Sequence, residues 1–367
     1  MDRFPVILMA AALAVLTGCA AAPAEPDSLP ESSQESSLSS SETPSSLLAV
    51  TSAGEIAAEL EAAVRAVRQP AVFDLSGSEL EEPEIAVQNL FSSLLGEDPS
   101  LKYAYRITAG LEGTLLTCEI SYMPYRTGAF PADWQGIEVG SLRELVAVAR
   151  EHLGEDQVPL RLTDPSLLPD DMSRALQQVG GGYLLCSLSQ DGLYLTYSPA
   201  RDLTVQDCLD ALSQAEELAQ AVVDEVTTPE MTGRERAAAL YDYLIGTVDY
   251  DRRYYTDPAQ LPLESQTAVG ALRDHLAICG GYSLALQLLY EKAGIPCYTV
   301  CGTFGSENHM WNLALLDGEW LWFDATTDRG LPEGAERRHF AQTELESRQS
   351  ITGETLRSLE ALLGAAL

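Results

Sequence analysis

Residues 273–329 read RDHLAICGGYSLALQLLYEKAGIPCYTVCGTFGSENHMWNLALLDGEWLWFDATTDR. In chain order this stretch supplies a thiol, an imidazole and a carboxylate: Cys279, His309 and Asp324. A nucleophile, its base and the carboxylate that orients the base are delivered in this way by hydrolytic and acyl-transfer enzymes. A thiol is mostly protonated near neutrality, so a nucleophilic Cys needs a helix N-terminus or a cation beside it. Gly280 and Gly281 permit close backbone approach. Tyr282 to Ala293 then places Leu284, Leu288 and Leu289 at helical spacing, and Gly294 with Ile295-Pro296 ends the helix. Cys279 is therefore expected at the positive end of a helix dipole.

The second half of the stretch predicts strands. CYTVCGTF is rich in β-formers, and HMWNLALL and EWLWFDAT flank Asp317-Gly318, a strong hairpin signal. With those two residues as the loop, Leu316 faces Glu319 and, in the same register, Trp311 faces Asp324. His309 lies two residues from Trp311, so it shares a sheet face with Asp324, at about 7–8 Å along the diagonal. One inserted turn residue would place them on opposite faces. Asp317 sits in the turn and Asp328 past the strand end, so Asp324 is the carboxylate expected to hold His309. His275, four residues before Cys279, is a rival base whose polar surroundings favour simple solvation.

CGGYSLALQLLYEKAGIPCYTVCG, HMWN and WLWFDAT, preceded by AAALYDYLIGTVDYD, together resemble the core of the transglutaminase-like superfamily of papain-type cysteine enzymes, which also includes proteases and peptide N-glycanases. The resemblance covers about Thr232 to Arg329. It implies an α+β fold in which a helix bearing Cys279 packs on an antiparallel sheet carrying His309 and Asp324. It does not specify the reaction. Some members place a Trp or Gln before the Cys to help form the oxyanion hole, and no Trp lies between Thr232 and Cys279. Gln266 and Tyr250 are the candidate donors here, beside the Cys279 backbone N–H.

The chain begins MDRFPVILMAAALAVLTGCA, a short apolar run ending in Leu16-Thr17-Gly18-Cys19 that looks like a bacterial lipobox. Residues 1–18 are expected to be a lipoprotein signal peptide, too short to span a bilayer. Cys19 is expected to be acylated, holding the protein on the outer side of the cytoplasmic membrane. Residues 19–50 are dominated by Ala, Pro, Ser and Glu, a composition that cannot offset ordering entropy and reads as a tether.

Two segments that follow share a pattern of helix, strand, helix, strand, strand. QPAVFDLSGSELEEPEIAVQNL and QVPLRLTDPSLLPDDMSRALQQV are their closest parts. The reading divides the chain into α+β repeat units at 51–130 and 131–202, a connecting helix at 203–231, the catalytic domain at 232–335 and a mostly helical tail at 336–367. No cluster of catalytic residue types stands out in the repeats, so they are expected to serve as scaffold or binding modules.

With 22 Lys and Arg against 55 Asp and Glu, the net charge is −33. That excludes nucleic acid and anionic lipid as electrostatic partners, leaving the acyl chains to provide anchoring. No cofactor is implied. Of seven cysteines, removing Cys19 and Cys279 leaves an odd number, poor arithmetic for a disulfide framework. Cys297 and Cys301 share a strand face but stand about 13 Å apart, too far to bridge. With Cys118, Cys186 and Cys208 they are expected to be buried thiols. Three functions follow: a thiol enzyme working on protein or peptide carboxamides through a Cys279 thioester, a non-catalytic cell-envelope binding module retaining the fold, or a metal-binding envelope protein using Cys279, Cys297, Cys301 and His309.

Overall fold

The computed structural model describes residues 48–78, 80–332 and 334–367. The leader, Cys19 and the tether through residue 47 lie outside the described residues. The described chain divides into compact units at 48–129 and 130–367.

The first unit runs β1 (Leu48–Ala49), α1 (Ala53–Arg65), β2 (Ala71–Asp74), α2 (Pro83–Glu97), β3 (Ala104–Glu112), β4 (Leu115–Tyr122) and the single turn α3 (Pro124–Thr127). Ser52 caps α1 by accepting from the Glu55 N–H, and Ile56, Leu60, Ala63 and Val64 form its buried stripe. The sheet order is β1-β2-β4-β3, with β1 parallel to β2 and the other pairs antiparallel.

The second unit opens with β5 (Ile137–Val139), α4 (Leu142–Glu151), β6 (Gln157–Leu162), α5 (Pro169–Leu176), β7 (Leu184–Leu188) and β8 (Tyr194–Pro199). Its sheet order is β5-β6-β8-β7, with only β5–β6 parallel, the same order and directions as in the first unit. Each sheet has a short leading strand that the expected pattern lacked, because two or three residues carry no period-two signal. The β5–β8 sheet is not a separate body, so the boundaries expected at 202 and 231 fall inside one unit. Gln178 explains part of this: its amide donates to the Thr299 carbonyl and accepts from the Thr299 N–H, both at 2.9 Å, as a neighbouring strand would.

Helix α6 (Val205–Val226), read as a connector, is a core element. A capping box of Thr204 and Asp207 starts it. Its buried Cys208, Ala215, Ala219, Val222 and Val223 join the main core. The chain continues through α7 (Gly233–Thr247), opened by the expected Thr232–Glu235 capping box, β9 (Asp249–Tyr250), α8 (Arg253–Thr256), α9 (Ala268–Leu272), β10 (Leu276–Ala277) and α10 (Cys279–Lys292). Then come β11 (Cys297–Phe304), β12 (Glu307–Leu316), β13 (Glu319–Phe323), α11 (Ala325–Asp328), β14 (Gln349–Ser350) and α12 (Gly353–Leu363).

The β11–β14 strands form an antiparallel sheet in the order β13-β12-β11-β14. Alternation sends Cys297, Ala314, Leu321 and Phe323 into the core with α10, and Val300, Trp311, Leu313 and Trp322 into a second core with Leu359 and Leu363 of α12. Asp317 and Gly318 have φ of 55° and 87°, the left-handed pair of a type I′ turn, and Leu316 pairs with Glu319 as expected. The tail departs from the helical expectation: only 353–363 is α-helix. Upstream of it, the N–H groups of Trp322 and Asp324 donate to the carbonyls of Gln342 and His339, and β14 extends the sheet, pairings between distant segments that no local period reveals.

Candidate active site

Helix α10 begins at Cys279 itself, three residues before the helical pattern of the sequence starts. The glycines explain the difference. A Cβ on Gly281 would lie 2.7 Å from the Ser265 carbonyl oxygen and 3.0 Å from that of Thr267, so the backbone at 265–267 crosses this turn at a distance only glycine permits. That crossing is fixed from below. The Ile278 N–H donates to the Ser265 carbonyl (2.8 Å), and the Ser265 hydroxyl donates to Asp251 (2.6 Å). Asp251 is buried and paired with Arg253 at 2.8 Å, which together with the Ser265 bond holds its carboxyl below the usual range despite burial. The Tyr282 hydroxyl donates to the Val248 carbonyl, tying the same turn to β9. Cys279 is thus at the first position of a 14-residue helix, half-buried, on a backbone held from two sides.

His309 is the third residue of β12. Its Nε2 lies 2.9 Å from Asp324 Oδ2, the diagonal pairing that sheet parity predicts. Its ring lies against Trp311 and Phe304 at centroid distances of 5.8 and 5.6 Å. Cys279 is the other group near enough to raise the pKa of this side chain. Because Nε2 faces Asp324, Nδ1 is the nitrogen left for the thiol. Burial alone would lower the His309 pKa; the bond to Asp324, the nearby Cys279 and the charges of both outweigh it and lift it to about 10. Asn312, three residues along β12, donates to the Ser283 carbonyl of α10 at 2.9 Å and locks the strand to the helix.

Asp324 is buried and fully committed. Oδ1 accepts the Thr327 N–H (3.0 Å), and Oδ2 accepts the Thr327 hydroxyl (2.8 Å) and Gln349 Nε2 (2.9 Å) besides facing His309. Gln349 comes from the tail, expected from the sequence to be mostly helical. It lies 25 residues beyond Asp324, and nothing local in the sequence marks it. Asp328, set aside as lying past the strand, is also buried and belongs to a second His–Asp pair. It accepts from the Tyr241 hydroxyl and the His339 N–H, each at 2.9 Å, and faces His339 Nδ1 at 2.8 Å.

Of the oxyanion candidates, Gln266 ends a one-turn 3₁₀ segment at 264–266, the backbone that crosses α10, and its buried side chain has no hydrogen-bond partner among the described residues. Tyr250 pairs through its backbone with Ala277, two residues before Cys279. Its ring stacks on that of Tyr255 at a centroid distance of 5.8 Å, and burial, then the Cys279 charge, pushes its pKa up. His275 is exposed, with φ of 51°. Cys279, Cys297, Cys301 and His309 are not brought together as the metal alternative requires. Among the described residues no group of three His, Cys, Asp or Glu is arranged to hold an ion, and all six described cysteines are free thiols.

A helix starting at a cysteine, packed on an antiparallel sheet that presents a His–Asp pair, defines a papain-like arrangement. Residues 219–325 match the family model of the transglutaminase-like superfamily, so this part of the chain is a transglutaminase-like core. The match starts within α6, in keeping with that helix being part of the core. Similar solved structures include a TGase, 14% identical with TM-score 0.30, the match covering 59% of this chain and 55% of that one. A suggested cysteine protease from Cytophaga hutchinsonii is 19% identical with TM-score 0.25, covering 36% and 50%. A suggested protease from Parabacteroides distasonis is 9% identical with TM-score 0.23, covering 59% and 35%. The chain spans about half the length of the first two and about a third of the other. Among curated proteins, none matches.

Proposed function

We propose that the protein is a thiol enzyme that transfers or hydrolyses the acyl group of protein or peptide carboxamides through a Cys279 thioester. The observation that carries this reading is the His309–Asp324 pair at 2.9 Å, with Cys279 at the start of α10 close enough to raise the His309 pKa. With its pKa near 10, His309 is an imidazolium at neutral pH, and the thiolate is the form of Cys279 that acts as nucleophile. The Cys279 sulfur attacks the carboxamide carbon, the C–N bond breaks, and His309 gives its proton to the departing amine. An incoming amine or water then attacks the thioester, its proton returns to His309, and the Cys279 thiolate leaves. The Cys279 N–H and the uncommitted Gln266 amide are the donors proposed for the oxyanion.

Cys279 in the folded protein is expected to react with iodoacetamide at neutral pH at least about tenfold faster than any other described cysteine. Burial opposes ionisation of the others: it pushes Cys118 and Cys186 up to about 12 and, with the Cys279 charge, Cys301 up to about 11, and it raises Cys208 and Cys297. Peptide mass spectrometry over a time course reads this. Labelling of Cys301 before Cys279 would remove the nucleophile assignment and leave a binding module with the same fold.

The lipobox supports placing this enzyme on the extracytoplasmic face of the cell membrane, anchored through acylated Cys19. No helix among the described residues is long and apolar enough to cross a membrane. Cys19→Ala is expected to move the protein from the membrane pellet to the soluble fraction or leave its leader uncleaved. Membrane retention with a normal mature N-terminus would refute the anchor.

A further inference from the structure

A cavity of about 730 Å³ lies at the β9–β10 strand pair, walled by Asp249 and Tyr250 of β9, Leu276 of β10, Arg252, Tyr255 and Arg329 among others. Its wall is the β9–β10 strand pair, where Tyr250 pairs with Ala277 two residues before Cys279. The hydroxyls of Tyr250, Tyr254 and Tyr255 are near enough to Cys279 to feel its charge. On the far side, Arg329 follows Asp324 by five residues and lays its guanidinium over the Tyr250 ring, 4.7 Å from the centroid. Arg252 has no carboxylate partner among the described residues, whereas its neighbour Arg253 is tied to Asp251. Asp249 is the one carboxylate in the lining, so the cavity is net positive in a chain whose charge is −33.

We propose that this cavity is a subsite for a carboxylate, so that the favoured substrates are peptides carrying an acidic group within one or two residues of the carboxamide attacked by Cys279. The chemistry fits the site. A guanidinium presents a planar fork of N–H donors matched to a carboxylate; Arg329, stacked by its face on Tyr250, donates from Nη1 to the Thr326 carbonyl and keeps Nη2 and Nε for a ligand. Leu276 and the two tyrosine rings supply apolar walls for the stem of the acidic residue. An acidic substrate is repelled by most of this protein's surface, so two arginines around one cavity also mark the approach by which an acidic peptide reaches the thiol.

The inference rests on Cys279 as the nucleophile, and the test separates the two. Iodoacetate and iodoacetamide differ only in carrying a carboxylate or an amide, and both alkylate the same sulfur. In the full chain, the ratio of iodoacetate to iodoacetamide rates at Cys279 is expected to fall about tenfold in the double variant Arg252→Gln, Arg329→Gln. Arg234→Gln, which removes a cation paired with Asp317 outside the cavity, is expected to leave the ratio within about twofold of wild type. Protection of Cys279 from iodoacetamide then identifies the source of the carboxylate. Acetyl-Gln-Glu-amide carries it on a side chain and acetyl-Gln-Ala at the chain terminus, with acetyl-Gln-Gln-amide as the neutral reference. Stronger protection by either acidic peptide supports the subsite and names its source. An unchanged ratio in the double variant, or equal protection by all three peptides, overturns it. If Cys279 is inert to both reagents, the nucleophile reading fails instead. The subsite is then decided by whether acetyl-Gln-Glu-amide raises the melting temperature more than acetyl-Gln-Gln-amide does in the wild type but not in the double variant.

Discussion

Asp324→Asn is expected to reduce turnover of a glutamine-amine or peptide-amide substrate by about 10²–10⁴-fold, the range seen when the orienting carboxylate of a triad is lost. Four donors converge on this carboxylate: the His309 ring, Gln349 Nε2, and the Thr327 N–H and hydroxyl. An Asn offers one acceptor atom and one donor. If its oxygen keeps the place beside His309, its amide meets the Thr327 N–H. If the amide turns toward His309, it forces the tautomer with Nδ1 protonated and meets the donors of Gln349 and Thr327 as well. Either way a donor is left facing a donor, at a stability cost of about 1–3 kcal/mol. Circular dichroism and a thermal melt therefore accompany the kinetics. The pH profile separates misorientation from loss of fold. His309 is raised to about 10 by its partners, so its proton is held below that pH and lost as pH rises through it. The alkaline limb of kcat/KM, expected near pH 10 in the wild type, is expected to move toward the ordinary histidine range, about 6.5, in the variant. A folded Asp324→Asn protein with wild-type turnover and an unmoved alkaline limb would mean that another carboxylate holds the base.

The pairing of His309 with Asp324 was legible because a two-residue turn fixes everything beyond it. Once Asp317-Gly318 adopts two left-handed conformations, the parity of all later positions is set, and side-chain length closes the diagonal. The helix end at Gly294 was legible for a similar local reason, a φ of 78° that favours glycine. What escaped depends on distant segments. Gln349 reaches Asp324 from a two-residue strand at the sheet edge, too short to have a period. Gly281 reads only as backbone freedom until the carbonyls of Ser265 and Thr267 are seen crossing it. Helix α6 looked like a connector because an amphipathic pattern says that one face is buried but not against what. The attachment of the β5–β8 segment to β11 was not legible either, since it runs through the side-chain amide of Gln178.

Asp328→Ala is expected to be the more damaging change to stability, by about 3–5 kcal/mol, although Asp328 is placed outside the catalytic set. Its carboxylate, at the last residue of α11, is buried and accepts from three donors, two of them on His339 and one the Tyr241 hydroxyl. Tyr241 is itself buried and donates to the Asp324 carbonyl at 2.9 Å, so the network supports the backbone that carries the triad carboxylate. Removing Asp328 takes the carboxylate from the half-buried His339 imidazole and leaves the buried Tyr241 hydroxyl only the Asp324 and His339 carbonyls. The effect has a pH signature. The bond to Asp328 raises the His339 pKa against the opposing effect of burial, so that contribution is complete below the ordinary histidine value and fades as pH rises through the raised one. Burial would raise Asp328, but the bonds from His339 and Tyr241 outweigh it and hold it low, so that contribution is present above the ordinary carboxylate value and is lost in acid. Both are fully present from about pH 4 to about 6.5. Urea unfolding followed by circular dichroism is therefore expected to show a larger destabilisation by Asp328→Ala at pH 6 than at pH 9. Turnover per folded molecule is expected to fall far less than in Asp324→Asn, because His309 keeps its own carboxylate. A loss below about 1 kcal/mol, the size of one ordinary hydrogen bond, or one equal at the two pH values, would mean that the His339–Asp328 pair does not carry α11.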